Sequence, residues 1–222
     1  MADKQDTAKI KEAVKRKKKA IYKPVVPDMQ LGFVHNNVDS IGCRACEPAR
    51  KDKNGLAAGP RFRRVQYVEG GTYPEVYAYK VNVSCNHCAE PACLPTCPTG
   101  AIWKRPDNGI VDIDSTLCIG CRRCEGACPY GAPQFMPDQN IVSKCNLCVD
   151  EIEAGRKPYC VMACMMRVLD IGPIDLLAEK RHETKAIGPA DEPVRAVKNF
   201  ADPKLTNPSI VFVAHSKGKV KP

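Results

Sequence analysis

No stretch of about 18 consecutive apolar residues occurs in this 222-residue chain, so the sequence contains no membrane-spanning helix. Its N-terminus lacks the apolar core of a secretory signal and has no twin-arginine pair. These absences predict a cytoplasmic protein, or one exported only in complex with a signal-bearing partner. Aromatic residues are scarce at 6%, whereas 19 prolines and 15 glycines punctuate the chain. That composition predicts one or two loop-rich domains with a modest apolar core, stabilised in part by bound metal. No P-loop, GxGxxG or Ser/His/Asp arrangement occurs, and no small-molecule substrate of its own is expected.

What the chain has is charge at one end and cysteine in the middle. The formal net charge is +9. Residues 1–24 hold nine Lys or Arg against Asp3, Asp6 and Glu12, a local net of +6. This segment reads as a solvated tail or as a docking element for an acidic partner or an anionic membrane surface. No groove-reading or aromatic-rich motif accompanies the charge, so nucleic acid is not an expected partner.

Twelve of the 14 cysteines fall in three dense runs, Cys85–Cys97, Cys118–Cys128 and Cys145–Cys164. Cys118-Ile-Gly-Cys121-Arg-Arg-Cys124-Glu-Gly-Ala-Cys128-Pro129 is C-x2-C-x2-C-x3-C-P, the bacterial ferredoxin signature. Three thiolates two residues apart can reach three corners of one [4Fe–4S] cube, and the fourth ligates a second cube. A partner motif is therefore required. It lies upstream as Cys85-Asn-His-Cys88-Ala-Glu-Pro-Ala-Cys93-Leu-Pro-Thr-Cys97-Pro98. Crossed ligation then predicts one site from Cys85, Cys88, Cys93 and Cys128, and another from Cys118, Cys121, Cys124 and Cys97. Disulfides and structural zinc are the competing uses of cysteine, and the unbroken C-x-x-C runs speak against both. Each filled cubane with its four thiolates carries about −2 when oxidised, so the holo-protein is closer to neutral than +9 suggests.

Short elements frame these motifs. Ala101-Ile-Trp103 and Ile110–Ile113 predict a hairpin turned at Asn108-Gly109, with Trp103 in its core. The β-rich run from Tyr73 to Val83 predicts a strand leading into Cys85. Val149–Gly155 predicts a short helix ended by glycine. His87, inside a C-x2-C pair, is either a solvent-facing loop histidine or a hydrogen-bond donor to a cluster sulfur.

The remaining cysteines are Cys145, Cys148, Cys160 and Cys164, with Cys43 and Cys46 near the N-terminus. Set against C-x2-C-x2-C-x3-C, the N-terminal motif has Ser40 at its first position and Arg50 at its last. The whole arrangement resembles the four-cluster iron–sulfur subunit of the dimethyl sulfoxide reductase family of molybdopterin enzymes, over about Leu31 to Asp175. The resemblance rests on Ser84-Cys-Asn-His-Cys-Ala-Glu-Pro-Ala-Cys93, Cys97-Pro-Thr-Gly-Ala-Ile102, Cys128-Pro-Tyr-Gly-Ala-Pro133, Lys144-Cys-Asn-Leu-Cys148 and Asp170-Ile-Gly-Pro-Ile-Asp175. It implies that the first and fourth motifs pair, giving a site from Ser40, Cys43, Cys46 and Cys164 and another from Cys145, Cys148, Cys160 and Arg50. A serine alkoxide can hold iron; a guanidinium has no acceptor and cannot. At least one outer site is therefore expected to hold a three-iron cluster, to bind iron through another oxygen, or to be empty. Two [4Fe–4S] clusters are expected in the centre and a third outside.

The resulting expectation is an α+β fold of tandem ferredoxin-like modules with short hairpins and helices. Residues 1–30 form a basic extension, 31–84 and 134–175 the two parts of an outer module, 85–133 a central module, and 176–222 a C-terminal extension. The resemblance implies an electron-transfer subunit working with a molybdopterin catalytic subunit, and with a membrane anchor or other redox partner. Two alternatives stand beside it: the iron–sulfur subunit of a transhydroxylase or dehydroxylase type of molybdenum enzyme with a mainly structural role, and a free polyferredoxin.

Overall fold

The computed structural model describes residues 29–179 and 200–213. The basic segment 1–24 lies outside them. The fold is α+β, with short elements strung between loops.

Strand β1 (Leu31–Asn36) is buried along nearly its whole length, because it is the middle strand of a three-stranded sheet. It pairs antiparallel with β8 (Leu169–Pro173), Phe33 opposite Ile171, and parallel with β9 (Ile210–Val213), Phe33 opposite Ile210. Side chains alternate across a strand. Leu31 and Phe33 enter the main core with Leu169, Ile210 and Phe212, while Val34 meets Val211, Ile174 and Leu177 on the other face. Ile174 and Leu177 belong to the helix Ile174–Glu179.

The segment expected as the family's exit, Asp170–Asp175, is thus the outer strand of this sheet and the start of the helix that covers it. The parallel partner β9 lies within the expected C-terminal extension. A four-residue apolar run carries no pairing information, which is why the sequence did not reveal it.

Strands β2 (Arg63–Gly70) and β3 (Tyr77–Ser84) form an antiparallel pair, with Tyr79, Val81 and Val83 buried. The strand expected over 73–83 therefore starts later, and Tyr73 and Val76 are exposed. Strand β3 runs directly into Cys85. The central hairpin pairs β4 (Ile102–Lys104) with β5 (Val111–Ile113). Trp103 lies opposite Asp112 on its half-buried face, so it is not the hairpin core. Ile102 and Lys104 face inward instead, because the Lys104 ammonium finds the carbonyl oxygens of Cys88 and Ala89 at 3.2 and 3.1 Å. A third pair joins β6 (Gln134–Met136) to β7 (Ile141–Ser143).

The helices are short. They are α1 (Cys46–Lys53), α2 (Arg123–Ala127), α3 (Val149–Glu153) and α4 (Tyr159–Met162), followed by Ile174–Glu179 as α5. Helix α1 packs on α4. Glu47 joins α1 to β2 by accepting from the Val65 amide at 2.8 Å. The expected glycine stop of α3 is Gly155, with φ +73°.

Candidate metal centre

All 14 cysteines are free of disulfides. The loops that carry them share a backbone habit. Arg44 and Arg122 sit at φ +60°, His87 at +44° and Leu147 at +61°, each inside a cysteine motif. Gly42 and Gly120 precede the two arginines by two residues, at φ +71° and +67°. At Gly120 an added Cβ would collide with the Asn140 carbonyl oxygen, so the close approach of this loop to the β6–β7 turn needs glycine. Left-handed residues in such runs turn successive amides toward one side, the geometry of an anion-binding concavity.

Three cavities follow. Cys85, Cys88, Cys93 and Cys128 line the first. Cys97, Cys118, Cys121 and Cys124 line the second. Ser40, Cys43, Cys46 and Cys164 line the third. In each central cavity three sulfurs come from one motif and the fourth from the other. No three His, Cys, Asp or Glu side chains among the described residues converge closely enough to hold a single metal ion. Thiols spread around a cavity suit a multi-iron cluster, whereas single-ion zinc coordination needs contacts near 2.3 Å.

The environment of the thiols differs between the cavities. Burial raises the pKa of Cys88 to about 12, partly opposed by the Thr206 hydroxyl. Burial likewise raises Cys85, Cys93 and Cys124, the last to about 11. Burial also opposes ionisation of Cys97, yet hydrogen bonds from Thr99, Ile102 and Ala101 outweigh it and lower its pKa. A thiol that keeps its proton must release it to iron, so cluster uptake in the first cavity liberates protons.

Cations compensate. Lys144 is buried and lines the first cavity; its ammonium donates to the carbonyl oxygens of Val111 and, at 3.3 Å, Cys145. Burial opposes its charge, but Cys85 and Cys93 outweigh that and raise its pKa. The Lys104 ammonium, on Cys88 O, adds a second positive charge nearby. Sequence reasoning missed both lysines, and also Thr206; a lysine in a strand pattern gives no sign that it turns inward.

His87 is 1% exposed, which removes its solvent-facing reading. Its Nδ1 accepts from the Val111 amide at 3.1 Å, so the neutral ring carries its proton on Nε2. Burial, reinforced by Lys144 and Arg50, holds its pKa well below the ordinary value. Nε2 is buried with no hydrogen-bond partner among the described residues, as a donor kept for a group that a bound cluster supplies would be.

The last three thiols behave differently. Cys145, Cys148 and Cys160 are fully buried, and so is Arg50. The Arg50 guanidinium lies among them: Nη2 donates to Cys145 Sγ at 2.9 Å and Nη1 to Cys148 Sγ. Burial opposes the charge of Arg50, but Cys145, Cys148 and Cys160 outweigh it and raise its pKa. A four-ligand cluster does not fit this donor set.

Comparison with known proteins agrees with this geometry. A 4Fe-4S dicluster domain matches residues 76–174. One chain of the anaerobic dimethyl sulfoxide reductase of Escherichia coli (strain K12) is 39% identical over 201 residues, covering 85% of this protein and 98% of the relative. Its counterpart of the same name in Haemophilus influenzae is 41% identical over 169 residues, 72% of this protein and 82% of the relative. One subunit of the sulfite dehydrogenase of Allochromatium vinosum is 42% identical over 156 residues, 61% of this protein and 65% of the relative.

Proposed function

The protein belongs to the 4Fe-4S dicluster family of iron–sulfur subunits, together with its anaerobic dimethyl sulfoxide reductase relatives, and on that footing we propose that it relays single electrons between a molybdopterin catalytic subunit and a second redox partner. The observation that carries this reading is the crossing of sulfurs in the two central cavities, three from one motif and one from the other. We assign Cys85, Cys88, Cys93 and Cys128 to one [4Fe–4S] cluster and Cys118, Cys121, Cys124 and Cys97 to another. Cys43, Cys46 and Cys164, with Ser40 as an oxygen donor, are assigned to a third. The two central motifs then form one ferredoxin-like module, and the sheet, α1 and α4 frame the other.

Bound clusters supply one-electron exchange; the protein sets its energetics and its exits. Lys144, which lines the first central cavity, and Lys104, on the Cys88 carbonyl oxygen, favour the more negative reduced state of that site. Apolar walls exclude water from it. Exits are supplied where a sulfur reaches the surface. Cys121 is exposed beside Ile119, which is 62% exposed, and Cys43 is exposed in the cavity that Ile41 and Met166, both exposed, also line. Exposed apolar residues around a redox centre suit a subunit interface. Reductase and dehydrogenase subunits carry out net electron transfer, so the relatives favour this reading over a mainly structural role or a free polyferredoxin.

The test is to co-express the protein with its molybdenum subunit, reduce the clusters, and follow their visible absorption after adding an oxidised substrate. Substrate-dependent reoxidation is expected. Clusters that exchange no electrons with the catalytic subunit, or a protein that purifies alone, would refute the proposal.

A further inference from the structure

The cysteine groups lie in a row. Cys124 of the second cavity and Cys93 of the first share one apolar cluster. Cys85 of the first cavity packs in a cluster with Cys145. Cys46 of the outer cavity shares an apolar cluster with Cys160, and α1, which begins at Cys46, packs on α4, which holds Cys160. The group of Cys145, Cys148 and Cys160 therefore sits between the central pair and the outer site, and Arg50 is inside it.

We propose that the Arg50 guanidinium, held by the thiols of Cys145 and Cys148, takes the place of a cluster at this third position, leaving the central pair and the Ser40/Cys43/Cys46/Cys164 site as separate redox units. This rests on the assignment of clusters to the other three cavities. A guanidinium stays protonated and has no lone pair to offer iron. Its two terminal nitrogens lie against two of the three sulfurs, in the space that the iron corners of a cubane need. The side chain cannot be turned aside cheaply. Its backbone carbonyl is held in α1 by the Asn54 side chain at 2.7 Å, and a buried cation removed from its sulfur partners is strongly unfavourable. The charge logic fits as well: one buried cation among thiols stands where a filled site would place about −2. Electron tunnelling falls exponentially with distance, so a gap at the third position slows exchange across it far more than exchange within the central pair.

The test uses the anaerobically purified complex. Iron and acid-labile sulfide are counted after subtracting the catalytic subunit's own content. Three clusters, about 12 irons in this protein, or about 11 if the serine-containing site is three-iron, support the proposal; about 16 overturn it. An iron-free protein would overturn the cluster reading itself, which separates the two failures. Cys160→Ser should leave the count unchanged, and a loss of three or four irons would overturn the proposal. Arg50→Cys should add about four irons and broaden the reduced EPR signal of the outer site through magnetic coupling. A folded Arg50→Cys protein with no added iron would show that the guanidinium is not what excludes the cluster. Should that variant fail to fold, the wild-type count and Cys160→Ser still decide.

Discussion

Asn82 Nδ2 donates to Cys46 Sγ at 3.4 Å, while its Oδ1 accepts from the buried Arg63 at 2.8 Å. One amide thus ties a candidate ligand of the outer site to a cation that also stacks on Phe33, 4.4 Å from the ring centroid. Burial raises the pKa of Cys46, and Arg63 and Asn82 oppose the rise. The pair of contacts serves the charged sulfur.

Asn82→Leu keeps the volume and removes both hydrogen bonds. A hydrogen bond to a ligand sulfur stabilises the more negative reduced cluster, so its loss lowers the midpoint potential of the outer site, on the order of 20–60 mV for one electron. Arg63 is left buried without that acceptor, and the fold should lose about 1–3 kcal/mol. Redox titration followed by EPR checks the first effect and thermal unfolding the second. An unchanged outer potential would separate Asn82 from the site.

The central ligands should fail as a set. Cys88→Ala leaves three thiols in the first cavity, so that cluster is lost or reduced to a three-iron form, while the second cavity keeps its four sulfurs. Iron content should fall by about one to four atoms per protein, with one EPR signal altered. Because filled sites stabilise the fold, the unfolding temperature should fall too. Full iron with full stability would break the crossed assignment.

The cysteine sites were legible because cluster ligation needs thiols at loop spacings, and a spacing survives in one dimension. The crossing of Cys128 into the first cavity and of Cys97 into the second follows from the motif alone. What lies behind the thiols was not legible. Arg50 could be recognised as a residue unable to bind iron, but not as a side chain turned into the thiol group, because that depends on α1 packing against α4. Lys104 displaced Trp103 from the inner face of its hairpin because carbonyl oxygens were waiting there. Thr206 reached the first cavity from a segment that reads as an extension, because β9 docks beside β1. In each case the deciding partner is remote in sequence.

The α3 helix is tied down by charge, and this gives a pH dependence. Glu151 is buried and accepts from Arg156 Nε at 2.5 Å and from Lys53 at 3.3 Å. The bond to Arg156 and then that to Lys53 hold its carboxyl below the usual range. A depressed carboxyl contributes stability that is present above the ordinary glutamate pKa of about 4.3 and is lost as pH falls through the folded value. Glu151→Gln should therefore lower the unfolding temperature at neutral pH, and the difference from wild type should shrink in acid. A difference that is constant from about pH 7 to pH 3 would show that the charge is not the source.

Gly32 tests the sheet that carries the outer site. It sits in β1 opposite Gly172, and a Cβ added to it would meet Ser209 O at 2.5 Å and Ile174 Cδ1 at 2.7 Å. The Ser209 carbonyl cannot retreat freely, because it accepts from the Phe33 amide at 3.0 Å while the Ser209 amide donates to Asn86 O at 3.0 Å. Those two bonds join the segment before β9 to β1 and to the Cys85–Cys88 loop. Gly32→Ala must therefore shift β9, α5 or both, at a cost of about 1–3 kcal/mol for overpacking. Because Thr206 lines the first cavity from the same segment, the displacement should reach the central cluster and make it more sensitive to oxygen. Unfolding temperature and the rate of visible bleaching in air should change together. A destabilised variant whose central cluster bleaches at the wild-type rate would show that the 200–213 segment does not shield the cavity.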